Sequence, residues 1–263
     1  MAESRFFYFI AVAGVFLAPS GCLFPSSMVD VGQGPGWVTI IPGVDGRASH
    51  VSEIVQGLRA AGFDWTIERV TWGRAPFRAL SNLTSLTANR RRAKGIAAKL
   101  AHFRKTRPHE PLVLVGFSGG GGLALLSASG LPEDVQLDRV ILVAPAISPQ
   151  FDLTPIQGRC KDKVINFYSP EDQVVGMGTH VFGTIDRKRT KAAGHTGFLN
   201  DAGTLLEGDK LMQVRYDPAW REWGHPGGHS GYLSPRWAKE VLASMIRGGK
   251  PPAGKETVAL SPQ

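Results

Sequence analysis

The chain has 263 residues, which suits one large domain and leaves little room for two. Its apolar fraction is ordinary for a globular protein, so the core needs no disulfide or metal staples. The net charge of +8 favours acidic surfaces, but the basic clusters at Arg90–Arg92, Arg104–Lys105 and Arg187–Arg189 accompany no nucleic-acid motif and read as solvated faces, so no nucleic acid is expected as a partner.

The N-terminus, MAESRFFYFIAVAGVFLAPSGC, carries an apolar run from Phe6 to Ala18 behind Arg5. That run suits a signal-peptide core and falls short of the roughly 20 residues a membrane span needs. Ser20 and Gly21 then precede Cys22. The segment resembles a bacterial lipoprotein signal, in which the cysteine is acylated and becomes the new N-terminus. Pro19 stands where that motif usually has an aliphatic residue. The expectation is an exported protein of the bacterial cell envelope, with residues 1–22 as the signal and Cys22 as the lipidation site. An ordinary cleaved signal peptide or an uncleaved anchor are the alternatives. With Cys22 lipidated or removed, Cys160 has no disulfide partner, and it shows no pattern for a catalytic thiol or a metal site.

Residues 23–36, LFPSSMVDVGQGPG, read as a linker from their Gly, Pro and Ser content. WVTIIPG (37–43) reads as a buried strand stopped by Pro-Gly. RASHVSEIVQGLRAAG has apolar residues at helical spacing and ends on Gly62, a C-terminal cap signal. WTIERVTW (65–72) predicts the second strand, the stretch from about Leu80 to Thr106 a second helix region, and PLVLVGF (111–117) the third strand. Residues 119–129 predict a helix. DRVILVAPA (138–146), KVINFYS (163–169) and LMQVRY (211–216) predict strands four to six, and PRWAKEVLASMIR (235–247) a closing amphipathic helix. The tail, 248–263, has the composition of a disordered segment.

Strands alternating with helices, and reading as continuous apolar runs, imply a parallel sheet covered on both faces. The expected fold class is α/β, a three-layer α/β/α sandwich around a mostly parallel sheet of about six strands. Functional groups gather at the carboxyl ends of such strands. That edge would carry the Pro42–Gly46 loop, Ser118, Ser169–Asp172 and the segment after Tyr216.

The stretch GFSGGGGLALL lies at a strand-to-helix junction. A phosphate-binding loop would need a lysine after its last glycine, and none is present. What the stretch does contain is Gly116-x-Ser118-x-Gly120, the pattern of a serine nucleophile on a strained, sharp turn whose neighbours pack too closely for side chains. A packing turn rich in glycine is the bland alternative. A serine needs a base and the base an orienting acid. His229, in GHSGYL before the last helix, is the chosen base, with His225 as the alternate. Asp172, in INFYSPEDQVVG at the end of a strand, is the chosen acid, with Glu171 and Asp217 competing.

GFSGG, SPEDQVV and GHSGYL, in that order and each behind a strand, resemble the α/β-hydrolase superfamily over residues 37–247. The resemblance implies Ser118 as nucleophile, His229 as base and Asp172 as acid. It also implies an oxyanion hole made by the N–H of Gly119 and one from the loop IPGVDG, assigned to Val44. That loop has Pro42-Gly43 where the family commonly has His-Gly. The sheet would be a reduced one, lacking the two N-terminal strands of larger members. The expected activity is hydrolysis of a carboxylic ester, thioester or amide through an acyl-enzyme, on a small-molecule or lipid-like acyl substrate and without cofactor or metal. An acyltransferase on the same triad, or a catalytically silent envelope binding protein, are the alternatives. The connection from residue 174 to 205 is long for a compact domain. It is expected to border the acyl or leaving-group pocket, with His195 and Phe198 facing the ligand, or else to be a surface excursion on the far side of the sheet.

Overall fold

The structure, a computed structural model, describes residues 25–73 and 79–252. Cys22 and the rest of the expected signal therefore lie outside the described residues, as does most of the expected tail. No helix among the described residues is long and apolar enough to cross a membrane.

Seven strands form one sheet: β1 (Ser26–Asp30), β2 (Trp37–Ile41), β3 (Thr66–Thr71), β4 (Leu112–Phe117), β5 (Arg139–Val143), β6 (Val164–Tyr168) and β7 (Leu211–Arg215). Their spatial order is β1-β3-β2-β4-β5-β6-β7. All neighbours are parallel except β1, which runs antiparallel to β3. Period-two alternation sends side chains to both faces. Leu112 and Leu114 of β4 join a core cluster with Ile96 and Leu100 of helix α3 (Leu86–Thr106) and Leu123 of α4 (Gly119–Ser129). Val113, Val115 and Phe117 join a second cluster with Ile54 and Leu58 of α1 (Ser52–Ala60) and Val241 and Leu242 of the closing helix. Two buried faces explain why these strands read as continuous apolar runs, and they make the molecule a three-layer α/β/α sandwich.

The structure corrects the sequence reading in several places. The sheet has seven strands, because residues 26–30 of the expected linker form β1. SSMVD is half-exposed and polar, so no local pattern marks it; it is held from a distance. Lys99 Nζ donates to Ser27 Oγ at 3.2 Å, and Arg69 pairs with Asp30 at 3.0 Å. The expected helix region from residue 80 is two helices, α2 (Ala79–Thr84) and α3, broken at Ser85. β5 stops at Val143 because Ala144, at φ +46, turns the chain. The closing helix is a turn Pro235–Trp237, a π-helical turn Ala238–Leu242 and a last turn Ala243–Ile246. Gly62, at φ +65, sits just past the end of α1 and terminates it as its sequence position predicts.

Strands β2 to β7 all point one way, so the loops after β2, β4, β5 and β6 share one edge. Because β1 runs in the opposite sense, its first residue, Ser26, pairs with Thr71 at the end of β3 and lies at that same edge.

Candidate active site

Ser118 follows β4 directly and caps the N-terminus of α4. Its φ of 55° and ψ of −123° lie in a region that costs a non-glycine residue about 1–3 kcal/mol. The conformation is held from both sides: Ser118 N–H donates to Val143 O at 2.9 Å, and Ser118 O accepts from Gly121 and Ala146 N–H, both at 2.9 Å. The flanking glycines are sterically required. A Cβ on Gly116 would lie 2.5 Å from Gly120 O, and one on Gly120 2.2 Å from Ile41 O. The Ser118 hydroxyl makes no hydrogen bond among the described residues.

The two expected oxyanion donors come together. A Cβ on Gly119 would lie 3.3 Å from Val44 N, so the two backbones are in van der Waals reach. Gly119 N–H is in the first turn of α4, where no intrahelical acceptor exists and the helix dipole favours negative charge. In the loop, Gly46 N–H donates to Gly43 O at 2.8 Å. The Gly43–Val44 peptide is trans, so its N–H points away from that turn. Neighbouring carbonyls are fixed by side chains: Trp72 Nε1 donates to Pro42 O and Asn82 Nδ2 to Val44 O, both at 2.9 Å. Asn82 is buried, and its own Oδ1 accepts from Arg92 at 3.2 Å. Arg92 in turn lies over the Trp72 ring at 5.4 Å. Sequence reading did not find Asn82, whose partner Val44 lies far away along the chain, or Arg92, which acts on the loop only through Asn82 and Trp72.

Asp172 is fully buried just past β6. Its Oδ2 meets His229 Nδ1 at 2.6 Å, and its Oδ1 accepts from Val174 N–H at 3.0 Å and Val175 N–H at 3.3 Å. Both oxygens are thus occupied, and one fixes the histidine ring with its Nε2 free to face elsewhere. Ser169 staples the two loops: its Oγ donates to Gly227 O at 2.6 Å, two residues before His229. The Phe117 ring, next to Ser118 in sequence, packs on the His229 ring at a centroid distance of 4.9 Å. The competing acids serve elsewhere. Asp217 caps the turn Pro218–Trp223 by accepting from Ala219 N–H, and Glu171 is half-exposed, 3.9 Å from Arg221.

His225, the alternate base, is fully buried. Its Nδ1 accepts from Gly227 N–H at 3.1 Å, and its ring is walled by Tyr216, Trp220, Tyr232 and Trp237. Burial pushes its pKa down to about 4. It has neither the carboxylate partner nor the basicity of a proton acceptor near neutral pH. Burial likewise pushes the Cys160 thiol up to about 11, an inert structural group.

The segment after Asp172 stays at the site edge. Ile185 N–H donates to Ala146 O at 3.0 Å, and a Cβ on Gly122 of α4 would lie 2.7 Å from Ile185 Cβ. His195 is buried, and its Nδ1 meets Asp172 O at 3.0 Å, so it braces the acid loop. Phe198 does not face a ligand: it is fully buried in the core on the α3–α4 face, its N–H held by Gln213 Oε1 at 2.7 Å. Two open hollows, of about 600 Å³ beside the closing helix and about 490 Å³ between residues 150–157 and 199–210, are lined by neither Ser118 nor His229.

No family model matches the chain. No curated protein matches it either. Solved structures do. An esterase of Pyrobaculum calidifontis is 13% identical, with 85% of this chain and 81% of that chain covered, at a TM-score of 0.50. A structure named m3DLH is 18% identical, with 85% and 92% covered, at a TM-score of 0.51. The dienelactone hydrolase of Anabaena variabilis is 16% identical, with 84% and 88% covered, at a TM-score of 0.47. At such identities the likeness speaks for the fold alone.

Proposed function

We propose that this chain, which has the α/β-hydrolase fold, is a serine hydrolase that cleaves carboxylic esters through an acyl-enzyme. The observation that carries the reading is the strained Ser118, seated at a helix N-terminus beside Val44 N, on the same edge as a histidine held by a buried carboxylate at 2.6 Å.

In this reading Ser118 Oγ attacks the ester carbonyl carbon, and its proton passes to His229 Nε2. Asp172 keeps the proton of His229 on Nδ1 and stabilises the imidazolium that forms. Gly119 and Val44 N–H groups donate to the carbonyl oxygen as it gains negative charge. The C–O bond to the alcohol breaks, and His229 returns its proton to the departing oxygen. Water then gives a proton to His229 as its oxygen attacks the acyl carbon; the bond from the acyl carbon to Ser118 Oγ breaks, His229 returns that proton to Oγ, and the acid leaves.

The test is a p-nitrophenyl acetate assay with fluorophosphonate labelling. Ser118→Ala should stay folded, lose the label and fall by about 10⁶ in turnover, with His229→Ala close behind. An alanine variant as active as the parent refutes the mechanism. Export with lipidation at Cys22 is proposed on the sequence of residues 1–22; radiolabelled fatty acid should enter the parent and not Cys22→Ala, and equal labelling of the two rules lipidation out.

A further inference from the structure

The segment that follows the candidate acid and the helix that braces Val44 form one packed unit at the site edge. Leu83 of α2 packs on Val175, Ala146 and Ala192, and Arg187 Nη1 donates to Thr84 O at 2.8 Å. The outside of this unit is apolar. Leu80, Val174, Met177, Val181 and Phe182 are each more than half exposed, five of the six large apolar side chains so exposed among the described residues. Singly, such residues need no explanation, but gathered on one rim they mark a contact surface.

The same unit is strongly basic. Arg187, Lys188, Arg189 and Lys191 are exposed within it, and the only acid between residues 174 and 192, Asp186, is engaged by Ser148 and Thr184. Apolar side chains bordered by cations fit the boundary between headgroups and acyl chains of an anionic lipid layer. A soluble acidic protein would pair with the cations but leave the apolar side chains unexplained.

A third observation concerns how the chain enters. Ser26 starts β1 at this same edge, three strand spacings or about 15 Å from β4. Cys22 precedes Ser26 by four residues, which span at most about 14 Å. A leader or lipid at that end would hold this edge, and not the opposite one, against the bilayer.

We propose that the carboxyl edge of the sheet docks on an anionic lipid bilayer through α2 and residues 174–191, and that the site takes amphiphilic esters from that surface. The second half rests on the serine-hydrolase reading; the docking itself does not.

The experiment uses the full chain with vesicles of phosphatidylcholine containing phosphatidylglycerol, and with vesicles of phosphatidylcholine alone. Hydrogen exchange should slow in residues 79–84 and 174–191 on the anionic vesicles and stay unchanged on the neutral ones. Protein that binds the anionic vesicles with unchanged exchange in both segments is held by its leader alone, which overturns the docking. Equal protection on both kinds of vesicle overturns the role of charge. Met177→Ser with Val181→Ser and Phe182→Ser should remove the protection. Lys188→Glu with Lys191→Glu should weaken the vesicle-dependent protection at least about tenfold. A vesicle-embedded p-nitrophenyl ester of a long acyl chain should be cleaved at least tenfold more slowly by either variant, with p-nitrophenyl acetate in solution cleaved as by the parent. Equal loss on both substrates sinks the surface argument. A parent inactive on both sinks the hydrolase reading and leaves the exchange result to decide the docking.

Discussion

At the scale of single residues, the site separates two histidines that look alike in sequence. His225 and His229 both stand among glycines after the last strand, and only their partners distinguish them. His229 reaches the Asp172 carboxylate, whereas His225 is sealed among aromatic rings with its pKa held down to about 4 by burial. That burial has a pH signature. In the unfolded chain a histidine takes up a proton near pH 6.5, while in the folded one His225 resists it until about pH 4. As the pH falls between those values the unfolded state binds the extra proton, so this residue's contribution to stability, complete above pH 6.5, is lost progressively. The slope is at most about 1.4 kcal/mol per pH unit. Urea unfolding from pH 7 to pH 4.5 should show a shallower fall for His225→Phe than for the parent. Parallel curves would mean that His225 is not buried in its neutral form.

At the scale of elements, the loop after β2, proposed to supply an oxyanion donor, is the part whose geometry depends on residues outside it. Trp72 and Asn82 grip its carbonyls on either side of the Gly43–Val44 peptide, and Arg92 touches both grips. Asn82 is therefore a positioning residue in the proposed mechanism. Asn82→Asp keeps the shape and the Arg92 contact but removes the N–H that holds Val44 O. It should lower kcat about 10- to 100-fold with KM little changed, less than the loss of a whole donor. A merely structural role would instead lower the urea midpoint and leave kcat alone, and that pattern would reject the assignment. None of this was legible from the sequence, where residues 80–106 read as a single helical region. The break at Ser85 carries no proline or glycine to mark it, and Asn82 meets the loop through a bond to Val44 O, 38 residues away.

At the scale of the whole molecule, the buried framework was legible because both faces of the sheet are covered. WVTII, LVLVGF and RVILV are continuous apolar runs for that reason, and the serine turn sits where such a run meets glycines. What escaped was the periphery. β1 carries serines and an aspartate, exposes most of its side chains, and owes its place to Lys99 and Arg69 on other elements. The long connection after Asp172 could be recognised by its length, but its attachment to residues 145–149 could not. Those bonds run from backbone to backbone and leave no mark on composition: Ala193 N–H to Ile147 O, Gly194 N–H to Pro145 O, Leu199 N–H to Pro149 O.

The first turn of α4 consists of four glycines, each about 1 kcal/mol less favourable in a helix than alanine. That figure belongs to helix interiors, but even part of it at each glycine is not small beside the 5–15 kcal/mol by which domains are usually stable. Replacing glycine with alanine is a common engineering route to heat resistance. Here that route is closed from end to end: a methyl group would press on Val44 at 2.5 Å from Gly119, on Ile41 at 2.2 Å from Gly120, on Pro145 at 2.6 Å from Gly121 and on Ile185 at 2.7 Å from Gly122. An engineer toughening this protein has to begin away from Ser118, at positions such as Gly158 at the end of the short helix Thr154–Gly158, where a methyl group meets open space.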